Sequence, residues 1–266
     1  MIAELHYSNT NTYLIRSRKT AILWDTGWAG TFPLLCKALG EQKLKLQEIG
    51  CLLVSHFHPD HMGIAQELAD NGVKLVIADV QRDFLHAADE VFEREGNAAF
   101  RPIRDEAVQV VKIAESRAFL QTLGIAGELL HTPGHSDDSI SLWLDKEKAL
   151  FVGDLNPLYE LELHKGTQIA ASWDMLLQKR PRRVYYGHAR TAELGKHRFS
   201  AQAIEDDRYA LVKAITKRIK KGLSAEEIAE QTGADLTFVR DVARMYLTHP
   251  NVSVQGILDR IEIKGK

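Results

Sequence analysis

Within the six residues from His56 to His61 stand four side chains able to hold a metal ion: His56, His58, Asp60 and His61. Three imidazoles and a carboxylate at this density are costly to bury unless a cation gathers them. Mixed nitrogen and oxygen donors suit zinc, manganese or iron. The plain alternative is a histidine-rich surface loop. Against it stands the position directly after the apolar run Cys51-Leu52-Leu53-Val54, which reads as a buried strand. Pro59 and the loop position are expected to keep the segment from becoming helical, so that its side chains fan out from one sheet edge.

Three later positions repeat the pattern of a ligand-type residue just past an apolar strand and beside a glycine. They are His135 in Thr132-Pro133-Gly134-His135-Ser136 after Leu129-Leu130, Asp154 after Leu150-Phe151-Val152-Gly153, and His188 after Val184-Tyr185-Tyr186-Gly187. Glycine lets backbone and side chains approach closely at such a corner. Taken singly, each histidine or aspartate reads as readily as a structural residue. Taken with the first cluster, one shared site explains them better. Asp25 in Asp25-Thr26-Gly27 also closes an apolar strand, where a turn cap is its plainer role.

The elements that must position these residues alternate along the first two hundred residues. Thr12–Ile15 and Ala21–Trp24 read as a hairpin, residues 31–40 and 63–71 as helices, and Val73–Ala78 as a strand. Strands resume at Glu128–Leu130, Ser139–Leu144, Ala149–Val152 and Arg183–Tyr186, with a helix at Trp173–Leu177. Strands alternating with helices predict a layered α/β sandwich. Residues 79–122 read as a mostly helical, charged insert. One apolar stripe runs through Phe84, Leu85, Ala88, Val91 and Phe92, a second through Val108, Val111 and Ala118, with Pro102 between them. Such stripes pack on a core; a lid or a homodimer contact is the sharper alternative.

In order and context, these motifs resemble the metallo-β-lactamase superfamily. The resemblance covers residues 1 to 195. It takes in the acidic motif Asp25-Thr26-Gly27, the His-x-His-x-Asp-His motif from His56 to His61, then His135, Asp154 and His188. It implies a four-layer αββα sandwich with a dinuclear site at one edge of two sheets. It further implies that His56, His58 and His135 hold one metal, that Asp60, His61 and His188 hold the other, and that Asp154 bridges them. Asp25 would stand behind the ligands and hold the motif loop. Zinc is the first expectation, with manganese or iron next. Two such ions ~3.5–4 Å apart bring a bridging water towards a pKa of about 7, so that hydroxide attacks an electrophilic carbonyl or phosphorus. Asp60 and Asp154 are the expected catalytic carboxylates.

Within that superfamily, retention of His58 favours hydrolysis over the redox branch, which generally carries an acid there. Asp154 disfavours a true β-lactamase, which lacks an aspartate at that place. Thr132–Ser136 and Val152–Asp154 look most like the glyoxalase II group and related thioesterases and nucleases. The basic C-terminal clamp of a glutathione thioesterase is not recognisable. The leading expectation is a small ester, lactone or thioester substrate.

The remainder, 201–266, reads as a separate small domain. A basic helix at 203–221 is followed by a capping box at Ser224 and Glu227, short helices at 225–231 and 236–247, and an alternating stretch at 251–263 read as a hairpin. Helix, helix-turn-helix and hairpin is the order of a winged helix. Lys213, Lys217, Arg218, Lys220 and Lys221 open the alternative of a ribonuclease or phosphodiesterase that uses this tail to bind nucleic acid. The 11 basic residues of the tail meet 10 acidic ones, however, which is a weak electrostatic footprint. A non-enzymatic, metal-bound regulatory module is the third reading, and the full ligand set argues against it.

Bulk composition adds exclusions. The chain has 266 residues, 45% hydrophobic and 26% charged, with a formal net charge of -2. That balance gives no general pull towards nucleic acid or membranes. Two cysteines make no disulfide framework. With no leader-like start and no spanning apolar run, a cytoplasmic protein is expected.

Overall fold

The computed structural model describes residues 1–194, 207–249 and 252–264. Two sheets lie at its centre. The first runs in chain order β1 (Ile2–Leu5), β2 (Thr12–Arg16), β3 (Ala21–Trp24), β4 (Ile49–Leu53), β5 (Lys74–Ala78) and β6 (Val108–Val111). The second has the order β11 (Ala192–Glu193), β10 (Arg183–Tyr185), β9 (Ala149–Phe151), β8 (Ile140–Leu144), β7 (Gly127–His131). Around them lie α1 (Phe32–Glu41), α2 (Pro59–Met62), α3 (Ala65–Asp70), α4 (Asp89–Arg94), α5 (Ser116–Thr122) and α6 (Gln168–Leu177).

Period-two alternation explains the layering. In the first sheet Tyr13, Ile15, Ile22, Trp24, Cys51, Leu53, Val76 and Ala78 face the second sheet, meeting Leu129, Leu142, Leu144, Phe151 and Tyr185. The intervening Leu14, Leu23, Leu52 and Leu75 face the other way, against Leu35 and Leu39 of α1 and Leu68 of α3. The second sheet does the same: Trp143, Leu150, Val152 and Val184 pack under Trp173 and Leu176 of α6. Strands buried on both faces read as continuous apolar runs, and these do. The result is the expected αββα sandwich.

The 79–122 segment carries helical turns and the short helices α4 and α5, and departs from the helical expectation in one element. Val108–Val111 forms β6 and pairs in parallel with β5, Val76 opposite Gln109 and Ile77 opposite Val110. Its β-branched run suits an edge strand. Both stripes are partly helical, with Val91 and Phe92 in α4 and Ala118 in α5, and Leu85, Ala88 and Phe92 are buried in the core with Ile103.

The tail holds α7 (Asp207–Ile219), α8 (Ala225–Thr232), α9 (Leu236–Thr248) and α10 (Val254–Lys264). The boundary expected at 200/201 and the helix start at Ala203 lie outside the described residues. The Ser224 capping box forms, with Ser224 Oγ accepting from Glu227 N at 3.2 Å and Glu227 Oε2 from Ser224 N at 2.8 Å. The expected hairpin, however, is α10. Alternation holds only locally, at Val252-Ser253-Val254 and Ile261-Glu262-Ile263, whereas Val254, Ile257, Leu258 and Ile261 stand at the helical i, i+3, i+4 and i+7 spacing, and Ile257 and Leu258 are buried with Val212, Ile215 and Val242. Without a β-wing the tail is helical among the described residues, and the winged-helix reading is corrected to that. No helix among the described residues is long and apolar enough to cross a membrane.

Candidate metal centre

Every ligand-type residue singled out from the sequence follows the C-terminal end of a strand, and all those ends meet at one edge. In the first sheet β3 and β4 are parallel, with Trp24 opposite Leu53, which brings Asp25 beside the loop that carries His56. In the second sheet β9 and β10 are parallel, with Phe151 opposite Tyr185, which brings Asp154 and His188 together. β7 runs the same way as β9, being antiparallel to β8, and delivers His135. Backbone bonds clamp the two sheets here: Ile140 N donates to Ser55 O at 2.8 Å, and Asn11 N to Gly187 O at 2.8 Å.

The motif loop turns into a helix within itself. Pro59 is the first residue of α2, where its missing N–H and fixed φ favour helix entry, so it starts a helix where the sequence suggested it would prevent one. His58 stands just before α2, whereas Asp60 and His61 lie in its turn.

Three sets of ligand atoms each lie within 4.8 Å of one another: His56, His58 and His135; His56, His61 and Asp154; Asp60, His61 and His188. Nε2 of His135 is 3.0 Å from Nδ1 of His58. Nε2 of His61 is 3.2 Å from Asp154 Oδ1 and 3.3 Å from Nε2 of His188, which lies 2.9 Å from Asp60 Oδ2. All seven sequence-derived residues therefore converge.

The hydrogen bonds behind them fix which imidazole nitrogen is free. Asp25 accepts from Ser55 N at 2.6 Å, from Ser55 Oγ at 2.9 Å and from Nδ1 of His61 at 3.0 Å. The Ser55 hydroxyl proton is spent on Asp25, so Nδ1–H of His56 donates to Ser55 Oγ at 2.9 Å. Nε2 of His56 is then a bare lone pair, buried and without a hydrogen-bond partner. His188 donates Nδ1–H to Asn9 O at 2.9 Å. Three imidazoles thus have one nitrogen held by oxygen and turn the other towards the cluster, the arrangement of metal-bound histidines.

Charge follows the same division. Burial drives the His56 pKa far down, helped by His61 and His135, so that ring is neutral. Burial also brings His135 down to about 4. For His61 burial works against the charge, but Asp154, Asp60 and Asp25 outweigh it and raise the pKa well above the usual value. His188 is raised in the same way by Asp154 and Asp60 against its burial. Burial opposes ionisation of Asp60 and Asp154, yet the neighbouring His61 and His188 hold both carboxyls well below the usual range.

Several supporting residues were not singled out from the sequence: Ser55, Asn9, Thr10, whose Oγ1 donates to Asp60 Oδ2 at 3.1 Å, and Gln81, whose Nε2 donates to Val54 O at 2.9 Å. Only Ser55 had a visible signal, its place directly before the motif. Asp138 Oδ2 accepts from Phe57 N at 2.7 Å and so braces the loop, while Asp137 is exposed. Thr132 pairs with Ser141, Ser136 with Ser139, and His131 with Asp137 O, so none of the three reaches the cluster. Tyr186 is buried, and Tyr159 donates to Asp259 Oδ2 at 2.8 Å; both pack. Gly187 is required by proximity, since a Cβ there would lie 2.5 Å from Asp154 Oδ1 and 2.7 Å from His61 Cε1.

Comparison with known proteins decides the family. The family model described as the metallo-beta-lactamase superfamily matches residues 7–188. The chain belongs to the metallo-beta-lactamase superfamily. Among its relatives in that superfamily is a Claviceps purpurea protein named atrochrysone carboxyl ACP thioesterase, 29% identical over 153 residues, which make 56% of this chain and 40% of that protein. The chain thus matches well under half the length of that relative. A metallo-beta-lactamase family protein of Thermus thermophilus, TTHA1429, shares the fold with a TM-score of 0.56 at 18% identity, over 99% of this chain and 94% of its own. TTHA1623, solved in a di-iron-bound form, aligns with a TM-score of 0.54 at 21% identity, over 73% of this chain and 94% of its own.

Proposed function

We propose that this chain is a metal-dependent hydrolase of a small ester, lactone or thioester, with two divalent ions, zinc first. The observation that carries the reading is the buried, partnerless Nε2 of His56, a residue shared by two of the three ligand sets whose atoms lie within 4.8 Å of one another. A buried polar atom is left unpaired where something else satisfies it. The donor set fits: neutral His56 and His135, ionised Asp60 and Asp154, and outer nitrogens tied to Ser55, Asp25 and Asn9. His56, His58 and His135 would hold one ion, Asp60, His61 and His188 the other, and Asp154 both.

Ions of this kind supply an activated water at neutral pH and a Lewis-acidic pull on the carbonyl. The chain's own residues do the rest. Asp25 and Ser55 keep His61 and His56 in the orientation and tautomer that free their Nε2 atoms. Asp60 and His188 line the open cleft over the site, and the Asp60 carboxylate, kept ionised, would take up the proton that the attacking water gives off and hand that same proton to the leaving group. The thioesterase among the relatives puts thioesters first in the substrate class.

Metal-loaded protein tested against a lactone, a thioester, a phosphodiester and a short RNA separates the readings. Metal-dependent turnover of thioester or lactone is expected. RNA cleavage alone, lost when residues 201–266 are removed, would overturn the small-molecule reading.

A further inference from the structure

The cleft over the cluster is walled partly by the tail. Its volume is about 410 Å³, within the range of small-molecule sites, and beside Asn9, Asp60 and His188 it is lined by Trp28 and by Arg244, His249 and Arg260 of the tail. Two arginines from different helices, α9 and α10, line one space. Their charge is poorly spent. Arg244 is about half exposed, and its Asp241 partner is 3.5 Å away, a contact of little strength at a surface. Among the described residues the Arg260 guanidinium makes one hydrogen bond, Nη1 to Gly256 O at 3.1 Å, of the five it can donate. The one carboxylate lining the cleft among the described residues, Asp60, is already met by His188 at 2.9 Å and Thr10 at 3.1 Å.

The tail is anchored so that this wall is fixed. Glu160, fully buried, accepts from Ser253 N at 2.9 Å and from Asn156 Nδ2 at 2.9 Å, and Tyr159 donates to the buried Asp259 at 2.8 Å.

Resting on the hydrolase reading above, we propose that Arg244 and Arg260, with His249 beside them, form an anion subsite for the non-reacting part of the substrate. Its ligand is an oxyanion, carboxylate or phosphate, on the thiol or alcohol half of the molecule. A guanidinium fork suits both geometrically. Trp28 and Met245 supply apolar surface for the intervening chain.

The test is kcat/KM of the metal-loaded full chain on thioesters of one acyl group. The thiols are N-acetylcysteamine (neutral), 3-mercaptopropionate (carboxylate) and phosphopantetheine (phosphate). The anionic thioesters are expected to be favoured over the neutral one by about tenfold to hundredfold, mainly through KM, and their ranking identifies the oxyanion. The Arg244→Gln/Arg260→Gln variant should collapse that preference, and Arg260→Lys should restore part of it. Arg244→Gln alone, at a half-exposed position, should reduce it even if the double variant folds poorly. Equal kcat/KM across the three thioesters, or a preference that the variants keep, overturns the subsite. If no thioester turns over, the hydrolase reading has failed instead. The subsite is then tested by titrating the two free anionic thiols into metal-free protein and following tryptophan fluorescence. Binding that the variants lose sustains it, and no binding overturns it.

Discussion

Asp25 Oδ2 lies 3.0 Å from Nδ1 of His61, and both side chains are buried. The same carboxylate accepts the amide and hydroxyl of Ser55, so one charge sets the orientation of His61 and, through Ser55, of His56. Asp25 does this from the left-handed backbone region, φ 63°, where aspartate and asparagine are the side chains best tolerated.

Asp25→Asn therefore removes the charge while sparing the backbone. Metal affinity should fall by about 10–100-fold, as when such a supporting partner is lost elsewhere, with the fold retained. Competition against a chelator of known affinity measures it. An affinity equal to that of the wild type would show that Asp25 only caps its strand.

Metal uptake should release protons at pH 7. His61 and His188 hold their protons above the usual pKa because Asp154 and Asp60 outweigh their burial, whereas His56 and His135 are neutral. A bound cation must displace the protons of His61 and His188, so affinity keeps rising with pH above about 6.5, the unperturbed histidine value. In the metal-free chain the same raised values carry stability that is full below about 6.5 and lost as pH rises through the folded pKa. Calorimetric titration in buffers of different ionisation enthalpy gives the proton count. A count of zero at pH 7 would contradict this charge distribution.

Tyr159→Phe deletes the hydroxyl that donates to buried Asp259 and leaves that carboxylate short of a partner. The expected cost is about 1–3 kcal/mol. Hydrogen exchange should quicken in α10 while metal content stays unchanged, because none of the ligand-bearing strands is touched. Unaltered exchange in residues 254–264 would mean that the Tyr159–Asp259 bond contributes nothing to holding the tail.

Much of this molecule was legible before its structure, for physical reasons. A cluster such as His56–His61 has few uses other than metal binding, and strands buried on both faces announce themselves as apolar runs, as at Leu150–Val152. What stayed hidden depended on partners distant in sequence. The short alternations at Val252/Val254 and Ile261/Ile263 mask the helical spacing of Val254, Ile257, Leu258 and Ile261, whose face packs on α7 and α9. Val108–Val111 becomes a strand because β5 offers it an edge. Pro59 was legible as a helix breaker and acts as a helix starter, the two roles differing only in what precedes it. Arg244 and Arg260 carry no motif; only the docking of the tail brings them to the cleft.

The metal content of purified, zinc-reconstituted protein, measured beside His58→Ala, tests the proposed dinuclear centre most directly. His58 lies at the exposed rim of the cluster, against the rings of His56 and His135, so its removal should leave the fold intact. About two ions per wild-type chain, falling in the variant together with hydrolysis, is the predicted result. A wild-type chain that binds no metal, or a variant that keeps its full complement, would contradict the centre described here.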